Sequence, residues 1–266
     1  MLGTIVVGVD NSDESRDAIA LARIVAGTAG GSLLLVHAYP YDLLPLEGTV
    51  IEVQVIEDMR DEAAAFAAGL RDELAPGAAT RVVPDTSPGR ALHDACEEVE
   101  AALLVLGSHR RTASGRAAAG GTAKAALHHA PCPVLVAPRG VAATGRLTVA
   151  TIGVAFDGSP ESGHALTIGR AVARATGGEI VLLTAVSDSG DAAAARARAS
   201  AAGDGLAVEV LEGKAADVLV ARSERLDLLV LGSRGWGPVR RLLLGSTSER
   251  VVRDAGCAVL VVPRGE

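Results

Sequence analysis

Residues 231–246, LGSRGWGPVRRLLLGS, hold Gly232, Gly235, Gly245 and Ser246 at a spacing that leaves main-chain amides uncovered. A glycine-rich loop that leaves an apolar run and enters a helix opening on Gly-Ser suits an anion. The loop and the first helical turn carry unpaired N–H donors, and the helix dipole favours negative charge there. Glycines also accept backbone angles that a side chain resists and let the chain approach a phosphate closely. Asp157 ends another apolar run. It has two readings: acceptor of a hydrogen bond from a ribose hydroxyl or adenine amine, or N-cap of the helix that follows. Asp10 has the same two readings. The glycine loop itself also reads as a tight turn that binds nothing.

The elements that must position these residues are written twice. IVVGVDNSDESRDAIALARIVAGTAGGSLLLVHA resembles IGVAFDGSPESGHALTIGRAVARATGGEIVLLTA without a gap, Asp10 matching Asp157 at an offset of 147. Further on, LLVLGSHR matches LLVLGSRG and APCPVLVAPRG matches AGCAVLVVPRG, Gly107 matching Gly232 and Cys132 matching Cys257 at an offset of 125. The second copy is therefore 22 residues shorter, mainly opposite residues 39–70. Short Val/Ile/Leu runs without alternation occupy 5–9, 33–36, 80–83, 103–106 and 134–136, then 148–155, 180–184, 207–211, 228–231 and 258–262. Such runs fit strands covered on both faces. Between them lie amphipathic segments such as 14–29 and 161–176, each preceded by a Ser or Asp cap candidate and followed by glycines. Alternating strands and helices predict parallel sheets with helices on both faces. The domains are expected at 1–140 and 146–266, with 138–146, PRGVAATGR, as linker.

Composition narrows the function classes. Of 266 residues, 49% are hydrophobic but only 2% aromatic, so Ala, Val, Leu and Ile fill the core. A net charge of −7 and a pI near 5.4 argue against general nucleic-acid binding. The start, MLGTIVVGVD, shows neither a basic leader nor a helix-length apolar stretch, so a cytoplasmic protein without a membrane span is expected. Cys96, Cys132 and Cys257 lack C-x-x-C spacing and read as buried thiols.

With the spaced set Gly-x2-Gly-x9-Gly-Ser complete at Gly232, Gly235, Gly245 and Ser246, and FDGSPES around Asp157, the chain resembles the universal stress protein family over nearly all of both copies. The resemblance implies an α/β fold of two tandem doubly wound, Rossmann-like domains, each with a five-stranded, mostly parallel sheet. It implies pairing of the halves as an internal pseudo-dimer through residues 134–136 and 259–262, a homodimer being left open. It implies ATP, with or without Mg, as ligand. Asp157 and the backbone of Ala155, Phe156 and Ala185 would surround the adenosine, while Gly232, Arg234, Gly235, Gly245, Ser246 and Thr247 would take the phosphates.

The first copy departs from that pattern. It keeps Asp10, Gly107 and Gly120, but Arg110 replaces the second glycine and Gly121 the serine, with Thr122 as a substitute hydroxyl. A Cβ in a left-handed turn costs about 1–2 kcal/mol. A lost hydrogen bond to a charged group costs about 1.5–3 kcal/mol. Together these predict roughly hundredfold weaker binding in the first half.

Other chemistries fit less well. GGTAK around Lys124 lacks the Walker ending, and GSRGWG lacks Gly-x-Gly-x-x-Gly. His128 and His129 would point about 100° apart on a helix, a poor chelating pair, and His109 reads no better; no metal site is expected. His37 reads as satisfying a backbone partner, Arg240 and Arg241 as phosphate clamps or solvated cations, and Trp236 as a cover over the nucleotide or a contact residue. No Ser-His-Asp, Cys-His or paired-carboxylate constellation supports catalysis, so slow ATP hydrolysis is the most that is expected. The expectation is a regulatory, stress-response binder of adenine nucleotide held mainly by the second half. A nucleotide-free interaction scaffold and an AMP or cyclic AMP sensor are the alternatives.

Overall fold

The computed structural model describes residues 2–40, 50–108, 125–127, 130–144, 149–233 and 245–263. The first half runs β1 (Thr4–Gly8), α1 (Asp13–Ala29), β2 (Ser32–Tyr39), α2 (Val50–Leu74), β3 (Ala79–Pro84), α3 (Pro88–Glu98), β4 (Leu103–Gly107) and β5 (Val134–Ala137). A short helix, α4 (Val141–Thr144), follows. The second half runs β6 (Thr151–Ala155), α5 (Pro160–Thr176), β7 (Glu179–Val186), α6 (Ala192–Gly203), β8 (Ala207–Glu212), α7 (Ala215–Ser223), β9 (Leu228–Gly232), α8 (Ser246–Asp254) and β10 (Ala258–Val262). The expected tandem, mostly parallel α/β architecture is therefore what the chain adopts. The shortening falls where α6, with 12 residues, stands in place of α2, with 25.

One ten-stranded sheet joins the halves in the order β3-β2-β1-β4-β5-β10-β9-β6-β7-β8. The β5–β10 pair is antiparallel and the other pairs are parallel. Alternate strand residues enter opposite faces. Ile5, Val7, Ile152 and Val154 pack with α1 and α5 residues such as Ile19 and Leu166. Val6, Leu104, Leu229 and Val259 pack with Leu92 and Val251 on the other face. Each core draws on both halves, so the seam is continuous in its packing.

Local signals explain the helix ends. Ser12 caps α1 by accepting from the Ser15 amide, and Ser159 caps α5 by accepting from the Ser162 amide. Left-handed Gly30 and Gly177 close the same two helices. The capping reading of Asp10 and Asp157 is thus corrected: the serine two residues further on does the capping, because its hydroxyl reaches the first-turn amide.

Two boundaries differ from expectation. β6 begins at Thr151 rather than at 148, because the Asp227 carboxylate accepts the Ala150 and Thr151 amides at 2.9 and 2.8 Å. The segment after β5 is tied down: buried Asp17 on α1 accepts the Gly140 and Ala142 amides at 2.9 and 2.8 Å, and Arg139 pairs with Glu14 at 3.3 Å.

Candidate functional site

The chain leaves β6 outward to β7 and β8, then returns to β9 on the other side of β6. Strand order reverses between β6 and β9, and the crevice beyond their carboxyl ends is where an open α/β sheet accommodates ligands. A cleft of about 200 Å³ lies there. Its walls include Ala155, Phe156 and Asp157 after β6, Leu183 and Ala185 of β7, Gly232 at the end of β9, and Gly245, Ser246 and Thr247 at the start of α8. Eight of the ten named second-half positions thus fall at one place; the other two, Arg234 and Gly235, lie outside the described residues, as do Trp236, Arg240 and Arg241.

Each wall has a local cause. Phe156 is buried, its amide donating to the Leu183 carbonyl at 2.9 Å and its carbonyl accepting the buried Thr184 hydroxyl. This holds the chain leaving β6 against β7 and leaves Asp157 exposed at the rim, its Oδ1 accepting the Ser159 amide at 3.0 Å. α8 begins behind Gly245, which provides no side-chain cap, in contrast to Ser12 and Ser159. Its first-turn amides, with the Ser246 and Thr247 hydroxyls, border the cleft as donors suited to anionic oxygens.

Gly232 has a reason other than the expected one. It is absent from the positive-φ residues; instead, a Cβ there would stand 2.5 Å from the Glu161 carbonyl oxygen. Gly107 faces Glu14 in the same way. Glycine lets the first turn of α5, the helix that follows the neighbouring strand β6, lie directly on the end of β9 beside the cleft.

Sequence reasoning missed Glu161, Ser159, Ser162, Ala215 and Leu219, which also line the cleft. Glu161 lies in the first turn of α5, and its place within the FDGSPES stretch that carries Asp157 was the signal that could have found it.

The first-half counterpart is built differently. The Asp10 Oδ1 accepts both the Ser12 and the Ser15 hydroxyls, and the Asp10 amide donates to Ser15 Oγ at 2.8 Å. Gly107 ends β4 beside α1, whereas Gly120, Gly121 and Thr122, with Arg110 and His109, lie outside the described residues. His37 donates from Nδ1 to the Val9 carbonyl at 2.9 Å, as expected of it. His128 and His129 lie outside the described residues. Among the described residues no group of three or more His, Cys, Asp or Glu could hold a metal, and no helix is long and apolar enough to cross a membrane.

The universal stress protein family model matches residues 1–138 and 188–263. A universal stress protein of Mycolicibacterium smegmatis is 30% identical over 97% of this chain and 96% of its own length. One from Thermus aquaticus is 34% identical over 42% of this chain and 97% of its own, consistent with a single-unit relative of one half. The crystal structure of a universal stress protein from Archaeoglobus fulgidus superposes with a TM-score of 0.74 at 22% identity, covering 98% of each chain, and shares the fold. With the duplicated sheet, its crevice and these matches together, the chain belongs to the universal stress protein family.

Proposed function

We propose that the second half binds ATP in the β6–β9 cleft and that the chain acts as a nucleotide-dependent regulator, with residues 1–140 and 146–266 as its two domains. One observation carries this reading: a helix N-terminus without a side-chain cap, with two hydroxyls, Ser246 and Thr247, lines the same cleft as an exposed carboxylate, Asp157, and the close-packed Gly232. The first feature suits a polyphosphate and the second suits a nucleoside's hydroxyl or amine donors. Arg234 and Gly235 complete the phosphate side in this proposal.

The cleft carries two carboxylates, Asp157 and Glu161. Magnesium arriving with ATP would be held chiefly by phosphate oxygens and water, as this ion usually is. The first half is the weaker site, since Ser12 and Ser15 already engage Asp10.

Calorimetric titration of ATP into wild type and Ser246→Asp tests the proposal. An acidic residue in the first turn favours the helix but repels a polyphosphate. Binding to wild type and at least a tenfold loss in the variant, at unchanged thermal midpoint, is expected. Absence of ATP binding by wild type refutes it, and AMP or cyclic AMP binding in preference to ATP replaces the ligand.

A further inference from the structure

Arg198 lies on α6, outside the set of residues that line the cleft, yet it covers the turn that carries Asp157. Its Nη1 donates to the Asp157 carbonyl at 3.3 Å. Gly158, next in the chain, is left-handed at φ 87°, and a Cβ there would stand 2.6 Å from Arg198 Cδ. The guanidinium and its aliphatic stem thus lie along one strained-for-side-chains turn, a contact only glycine permits.

The first half shows the alternative. At the position matching Gly158 it has Asn11, which is not among the positive-φ residues. There the Asp10 carboxylate turns onto its own helix, accepting the Ser12 and Ser15 hydroxyls. In the second half the serine matching Ser15, Ser162, donates instead to the Ser159 carbonyl at 2.9 Å. Two turns of like sequence therefore engage their carboxylates differently, Asp157 accepting the Ser159 amide at 3.0 Å where Asp10 accepts two serine hydroxyls, and the left-handed glycine under Arg198 is one of the features that separate them.

We infer that Arg198 is a positioning residue that, with Gly158, holds the Asp157 carboxylate toward a nucleoside in the cleft. This rests on the proposed ATP site. Arg198 acts on the ligand through Asp157, so its effect depends on that carboxylate.

The test is a double-substitution cycle read by ATP titration, joined to amide exchange of residues 156–162 in the ligand-free protein. Arg198→Ala should weaken ATP binding about fivefold, the value of one modest hydrogen bond. In an Asp157→Asn background the same change should cost less than twofold, and Arg198→Lys, which keeps stem and donor, should stay within about twofold of wild type. Exchange of the turn should quicken several-fold in Arg198→Ala, with the thermal midpoint unchanged. Equal losses in both backgrounds, no loss in either, or unaltered exchange overturns the inference. Wild type that fails to bind ATP overturns the proposed function, and the exchange comparison then still decides whether Arg198 holds the turn.

Discussion

Leu135 of β5 stands directly opposite Leu260 of β10, with Val134 facing Val261 and Val136 facing Val259. Leu135 and Leu260 are counterparts at the offset of 125, so this pair marks the pseudo-twofold relating the halves. Each half would otherwise end in a strand of unpaired amides and carbonyls; joining them removes both edges.

Truncation at this pair should unsettle both halves. Leu135→Ala and Leu260→Ala are each expected to cost about 2–5 kcal/mol, as buried leucines do. In denaturant unfolding the double variant should depart from additivity by about 0.5 kcal/mol or more, because the two side chains share one contact. Additive losses would show the facing pair to be energetically independent.

Glycine-to-alanine changes should have opposite signs at two positions. Gly232→Ala drives a Cβ against the Glu161 carbonyl, where backbone must move, and a loss of about 1–3 kcal/mol is expected. Gly69→Ala, in the interior of α2 with nothing near the added methyl, should stabilise by about 0.5–1 kcal/mol. Urea midpoints of the two variants check the prediction.

Thr184 and its counterpart His37, at the offset of 147, donate to matching carbonyls, those of Phe156 and Val9. Thr184→Val keeps the shape but removes the hydroxyl, and about 1–3 kcal/mol of stability should go with it. Thr184→Ser should recover most of that. If valine and serine behave alike in thermal unfolding, the bond contributes nothing.

The three cysteines are buried and free. Burial pushes the Cys257 thiol up to about 12, and a shared hydrogen bond with Cys132, together with burial, raises Cys96. A thiol near 8.5 when unfolded stays protonated in the native state, so the native chain binds more protons above that pH. Stability should therefore fall as pH rises from about 9 toward 12, by about 1.4 kcal/mol per pH unit from Cys257 alone. Cys257→Ala should flatten that slope, and a thiol reagent at pH 8 should leave the folded protein unlabelled.

Much of this molecule could be read before any fold was seen. Apolar runs without alternation announced strands covered on both faces, and Ser12, Ser159, Gly30 and Gly177 marked helix ends, because caps act through neighbours in the chain. The offsets of 147 and 125 matched the halves residue by residue, and the Gly-Ser opening at residue 245 located the start of α8.

Position in space decided the rest. Nothing local to Asp17 or Asp227 says that one ties down the segment after β5 and the other starts β6, since each accepts amides over 70 residues away. The reason for Gly232 lay in Glu161, a partner 71 residues earlier, and the hold of Arg198 on the Asp157–Gly158 turn spans 41. Periodicity and capping are encoded within a turn or two of chain, so the amino-acid string by itself determined the elements and the repeat. Close approaches between elements depend on how the sheet and helices pack, so only the tertiary structure decided which glycine makes room, which carboxylate ties down a distant segment and which residues meet at the cleft.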